Sequence, residues 1–288
     1  MVMKKKLLGL LFTVLASSRC ETTEPSVLLA PKILAQHQCG LNLFSTKEGF
    51  KKQSKQNISR LRKNLGDLEE RDTQLIRLSN QFPPAVIHRT SDQKYSQIQK
   101  TGVIKSPAYA AKTGAANEVT HSGYYSSAEE LLFNSSSCVF ASLGPCDGRA
   151  RYGEVKICLG DLPDLENHRD RFIWASHTAG FELARRQGLS GEVLINAFKE
   201  TVVVPEDFRD FMAFFMIDRL RKLPANERER IVRDLEQAAT LPPQQASRRW
   251  WTIIDENRLG YLEVKFDQFI PREAIQSVEN PKNVNDAI

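Results

Sequence analysis

Three short stretches carry side chains able to do chemistry together. The first is His88-Arg89-Thr90, which closes the apolar run Ala85-Val86-Ile87. Side chains alternate along a strand, so a strand ending here presents the imidazole and the Thr90 hydroxyl on one side and the guanidinium on the other. The second is Ser142, at the end of Val139-Phe140-Ala141, with Tyr152 opening the alternating run that follows. The third is a glutamate heading an apolar run, for which the chain offers two: Glu192 before Val193-Leu194-Ile195, and Glu263 before Val264-Lys265-Phe266. A ring nitrogen and hydroxyls suit a sugar, a guanidinium fork suits a phosphate, and a carboxylate suits a positive charge that develops during reaction. Singly, each is ordinary: a strand-end histidine is most often a hydrogen-bonded structural residue, and a glutamate before an apolar run is most often solvated.

The elements that would position them follow from periodicity. Residues 19–55 read as an irregular leader. Ile58, Leu61, Leu65, Leu68, Leu75 and Leu78 recur at three- and four-residue steps, an amphipathic helix broken near Gly66 and packed on the domain that follows. Phe82-Pro83-Pro84 ends it. Ser91 or Thr90 caps a helix over 92–100 that buries Tyr95 and Ile98, and Gly102 closes it. A long loop over 106–123 and a short helix over 126–133 precede the Ser142 strand. Further strands are expected at 152–159, 172–175, 191–195, 201–204 and 260–266, and helices at 177–187, 206–220 and, capped by Asn226, 226–239.

Composition bounds the class. The chain has 288 residues, 41% hydrophobic and 26% charged, with a net charge of +5, values ordinary for one large globular domain. Lys4-Lys5-Lys6, the apolar run Leu7–Leu15 and Ala16-Ser17-Ser18 have the layout of a secretory signal, with cleavage expected near Ser18. That run is too short for a permanent span. Arg19 stands where a lipoprotein signal needs a small residue before Cys20. Export permits disulfides among Cys20, Cys39, Cys138, Cys146 and Cys158; Cys138 and Cys146 are close enough to staple one loop, but the pairing is open. No zinc-type Cys/His spacing, Walker loop, dinucleotide fingerprint, Gly-x-Ser-x-Gly or His-Glu-x-x-His occurs. Arg248-Arg249 beside Trp250-Trp251 hints at nucleic acid, although a buried tryptophan pair is the simpler expectation.

The order His88-Arg89-Thr90, then Val139–Ser142, then a glutamate strand resembles the ADP-ribosyltransferase superfamily in its histidine form. It covers roughly residues 85–278 by short motifs, and it departs from the family in lacking Ser-Thr-Ser at Phe140-Ala141-Ser142 and in keeping Tyr152 off that strand. The resemblance implies an α+β fold: a mixed or antiparallel split sheet, with a helical N-terminal extension and a helical insertion. The expected divisions are a signal at 1–18, a leader and helix at 19–82, and the transferase-like domain at 83–288 with its insertion near 206–245. It implies that His88, supported by Thr90, donates to the nicotinamide-side ribose of NAD, that Arg89 reaches a phosphate, that Ser142 binds ribose or holds the glutamate, and that Tyr152 stacks on nicotinamide. Glu192 is the narrowly favoured catalytic glutamate, with Glu263 the alternative. The implied activity is that of an exported toxin- or effector-like enzyme moving ADP-ribose from NAD to a macromolecule, protein before nucleic acid, without a metal. The alternatives are a silent binding module of the same fold, an envelope adhesion protein organised by the 58–78 helix, and an RNA-end-processing enzyme.

Overall fold

The computed structural model describes residues 39–40, 43–113, 129–130, 132–144, 153–161, 173–177, 188, 190–260 and 262–279, all within one compact unit, Gln36–Ile288. The expected signal segment, most of the leader, Tyr152 and the helix at 178–187 lie outside them. The fold is α+β, built on an antiparallel sheet.

Helices α1 (Lys47–Leu65) and α2 (Glu70–Gln81) come first. The leader therefore becomes helical earlier than expected, at the Thr46 cap, whose side chain accepts from Gly49 N. Its first turns escaped detection because α1 buries Ser54 and Asn57 as well as Phe50. Asn57 Nδ2 donates to Lys199 O (2.9 Å) and Val202 O (2.7 Å), and Ser54 Oγ donates to Asp207 Oδ2 (2.6 Å), so polar side chains do the docking. Leu65 and Leu75 enter the main core, and the chain itself covers the 58–78 stripe.

Strand β1 (Ala85–Thr90) is followed by α3 (Asp92–Thr101), β2 (Ile104–Lys105) and α4 (Pro107–Lys112). Helix α3 starts where Ser91 Oγ accepts from Lys94 N and stops at Gly102 (φ +67°), a left-handed cap that glycine adopts without strain. A helical turn at 129–133 leads through Ser135–Ser137 into β3 (Cys138–Gly144). Then come β4 (Val155–Asp161), β5 (Ile173–Ser176), α5 (Gly191–Lys199), β6 (Val202–Val203), α6 (Phe208–Arg221), α7 (Ala225–Ala238), α8 (Pro243–Glu256), β7 (Glu263–Asp267), β8 (Phe269–Ile270) and β9 (Ser277–Glu279).

Three expectations change here. Residues 107–112, expected within a long loop, form α4, started by Pro107 and a Ser106 cap whose side chain accepts from Tyr109 N. Residues 191–195 are helical, not a strand: Leu194, Ile195 and Phe198 make a stripe that the three-residue apolar run alone does not distinguish from a strand. Helix α7 is capped by Pro224 rather than Asn226, which lies inside it.

The main sheet runs β6-β5-β7-β3-β1-β4-β9, each neighbouring pair antiparallel, and β2 pairs with β8 apart from it. Residues opposite each other in register share a face. One face carries Val86, Ala141, Ile157, Ala175, Val203, Val264 and Phe266 into the main core under α2, α6, α7 and α8. Trp250 and Trp251 are buried in that core, and Trp251 Nε1 donates to Phe82 O at 2.7 Å, so neither is a surface platform for bases. On the other face Cys138, Trp174 and Val202 meet Phe50, Phe133 and Phe198 in a smaller aromatic core. A disulfide joins Cys39 to Cys138 and ties the leader to β3, which rules out the short Cys138–Cys146 staple. Cys158 is also disulfide-bonded. No described helix is long and apolar enough to cross a membrane.

Candidate functional site

Register decides which of the candidate residues meet. On β3, Ser142 lies opposite Ile87 of β1 and opposite Glu263 of β7, and Glu263 in turn lies opposite Ser176 of β5. Two residues along, Phe140, Lys265 and Trp174 line up in the same way. Ser142, Glu263, Phe140, Lys265, Ser176 and Trp174 therefore share the face that carries the smaller core. Alternation from Ile87 adds Arg89 to this face. It puts His88 on the other one, opposite Ile157 of the main core. The guanidinium side of the motif, not the imidazole side, thus faces the serine and the glutamate.

Glu192 is elsewhere. It is exposed in the first turn of α5, where a carboxylate is favourable at a helix N-terminus and needs no further role. Among the described residues, the glutamate that shares a sheet face with Ser142 is Glu263. Tyr152 lies outside the described residues.

The sheet opens beside β1. Its ladder with β3 runs from Ala85↔Gly144 to Ile87↔Ser142, whereas its ladder with β4 continues to Thr90. Past Ile87 the β3-facing edge of β1 is released from strand pairing. His88 bridges this gap: its ring Nδ1 lies 2.8 Å from the Phe140 carbonyl, which can only accept. Burial lowers the pKa of His88, with the Phe140 bond opposing and the Lys94 charge assisting, so the ring is neutral at pH 7. A neutral ring with its proton on Nδ1 leaves Nε2 as an acceptor. The imidazole expected to donate to a ribose thus donates to Phe140 O, from the sheet face opposite Glu263. Thr90 is buried at the strand end. Gly153 (φ +135°) passes over it so closely that a Cβ would collide with the Thr90 carbonyl, which explains a glycine there.

Sequence reasoning assigned no role to three groups beside Glu263. Lys265 is fully buried; its Nζ donates to Ser176 Oγ at 2.6 Å and Glu263 O at 3.1 Å, and lies 2.9 Å from Glu263 Oε1. Trp174, Phe133 and Phe140 surround it, with ring centroids 4.8, 5.4 and 5.8 Å from Nζ. The 2.9 Å contact is an ion pair without hydrogen-bond geometry, and Glu263 Oε1 has no hydrogen-bond partner. Glu129, on the turn at 129–133, is the third: burial first and the nearby Glu263 charge second raise its pKa to about 7, against the opposing pull of Lys265. Glu130 anchors that turn by accepting from Ser136 N and Ser136 Oγ, both at 2.6 Å. The available signal was the spacing Glu263-x-Lys265, which puts both charges on one face of a strand.

A Ser–Lys nucleophile pair does not fit Ser176 and Lys265. Lys265 Nζ donates to Ser176 Oγ, so it turns a proton and not a lone pair towards the serine. Among the described residues no group of three or more His, Cys, Asp or Glu could hold a metal ion. What the face offers is a fixed carboxylate with spare acceptor capacity, a serine across from it, and an unzipped strand edge next door. No family model matches this chain, and no curated protein matches it.

Proposed function

We propose that this protein is an exported mono-ADP-ribosyltransferase that moves ADP-ribose from NAD to a macromolecular acceptor, a protein. The observation that carries this is the cross-strand pairing of Glu263 with Ser142, on the strand beside the released edge of β1. Arg89, on the same sheet face as Glu263, serves a phosphate. When the bond between the ribose and the nicotinamide nitrogen breaks, its electron pair goes to the ring and neutralises the pyridinium. The ribose becomes oxocarbenium-like, and Glu263 stabilises that charge. The acceptor then attacks the ribose carbon and loses its proton. The leaving group is already cationic in NAD, so its departure needs no Lewis acid. Export and an effector role rest on the N-terminal sequence pattern.

The test is nicotinamide release and label transfer from NAD by the purified chain. Glu263→Gln is expected to lower turnover by about 10²–10³-fold, the scale for removing one preorganised electrostatic group. Activity lost in Glu192→Gln but kept in Glu263→Gln overturns the assignment. The Lys265 contact to Glu263 and the absent Ser-Thr-Ser favour a second reading, a binding module of the same fold. NAD affinity without turnover selects that one, and neither affinity nor turnover removes both.

A further inference from the structure

Lys265 needs a physical explanation. Removing an ammonium from water costs several kcal/mol unless its partners compensate. Among the described residues Lys265 is the only fully buried lysine, and its contacts converge on one place. Two of its three polar contacts are with Glu263, a hydrogen bond to the carbonyl and an ion pair with the carboxylate, and the third is a hydrogen bond to Ser176, directly across the ladder from Glu263. Residues two apart on a strand lie roughly 6.5–7 Å apart, so the lysine stem folds back along β7 to bring Nζ to its neighbour. The three rings close the remaining sides. A lysine placed only to fill the aromatic core would be replaceable by an apolar side chain. This one instead fixes one oxygen of Glu263 as an ion pair without using that oxygen's hydrogen-bonding capacity.

We propose that Lys265, anchored by Ser176, is a positioning residue that holds the Glu263 carboxylate in one orientation opposite Ser142. This rests on Glu263 being the catalytic glutamate. Among the described residues, the charged groups bearing on Glu263 are Lys265 on its own strand and Glu129 from the turn at 129–133, with Arg89 of β1 on the same sheet face and the hydroxyls of Ser142 on β3 and Ser176 on β5 across the ladder. Of these, Lys265 brings positive charge into direct contact with the carboxylate, 2.9 Å from Oε1.

The test uses Lys265→Met, which keeps the stem and removes the charge, with Lys265→Arg as the conservative variant and Glu263→Gln/Lys265→Met as the double. Nicotinamide release is measured at pH 7, and the Glu263 carboxyl is observed directly by carbon-13 NMR. In Lys265→Met, kcat is expected to fall about 100-fold with KM changed less than about threefold, and the Glu263 carboxyl resonance to move. Lys265→Arg restores most of kcat, and the double variant is no worse than Glu263→Gln alone. An unchanged kcat, or a loss divided equally between KM and kcat, overturns the proposal. If the wild-type protein does not turn over NAD, the transferase assignment fails by itself. The carbon-13 spectrum then decides the positioning role, and a Glu263 carboxyl resonance equal in wild type and Lys265→Met ends it. If Lys265→Met does not fold, Ser176→Ala carries the test: a roughly tenfold lower kcat supports the anchor, and wild-type kcat refutes it.

Discussion

Replacing Cys39 and Cys138 together by alanine should destabilise the protein more than any single core truncation on the same sheet face. The bond spans a sequence separation of 99 residues. Closing a loop of about 100 residues removes denatured-state entropy worth about 4.7 kcal/mol in the chain-entropy model. Both sulfurs are in the smaller core, with Cys39 and Cys138 at 0% and 1% exposure, so little solvation gain offsets the loss. Typical domains have about 5–15 kcal/mol of net stability, and a loss of this size should lower Tm by about 10 °C or more. Urea unfolding followed by tryptophan fluorescence suits the measurement, because Trp174 packs against Phe50 and Phe133 with ring centroids 5.3 and 5.4 Å away. The variant is cleaner than adding reductant, which would also open the Cys158 disulfide. The local effect reaches the site: Cys39 N donates to Asp267 Oδ1 (2.9 Å) on the glutamate strand, and Gly40 N donates to Phe133 O (2.8 Å) on the turn behind Lys265. A loss below about 1 kcal/mol would refute the reasoning, because those non-covalent contacts would then hold residues 39–40 in place without the covalent bond.

Two buried groups give opposite pH dependences. His177 lies against Phe215 (centroids 4.4 Å apart), and burial, then Arg219, lowers its pKa from 6.5 to about 4. As pH falls from 6.5 towards 4, the unfolded chain takes up a proton that the folded one refuses, so stability drops by on the order of 3 kcal/mol, and His177→Asn should remove that slope. Glu129 works the other way: its folded pKa near 7 exceeds the ordinary carboxyl value of 4.5, so stability is lost as pH rises between them. Allowing for partial exposure, Glu129→Gln should stabilise the protein above pH 7 by roughly 2 kcal/mol, and no gain in chemical denaturation would refute the burial argument. The two slopes overlap and partly cancel in the wild-type protein, so each is visible only in the matching variant. Asn57→Ala strips donors from two main-chain carbonyls and should cost about 2–3 kcal/mol in urea unfolding.

The sequence by itself determined the local elements. The apolar run into His88, the Ser91 cap and Gly102 stop of α3, and the stripe over 208–220 are properties of neighbouring residues, set by alternation, capping chemistry and helical period. It also put Glu192 only narrowly ahead of Glu263, because both precede similar apolar runs. Only the tertiary structure separated them. Val193-Leu194-Ile195 became helical because Phe198, a turn further on, extends its buried stripe to the aromatic core. Register then set Glu263 against Ser142 and put Arg89 rather than His88 on their face. A strand's own sequence fixes which residues alternate, but the offset between strands is a non-local quantity, and a slip of one residue exchanges the two faces. The fold-back of Lys265 and the Cys39–Cys138 bond are likewise contacts between groups whose meeting depends on the whole sheet. For the same reason the released edge of β1, on which the proposed NAD site depends, has no signature within Ala85–Thr90.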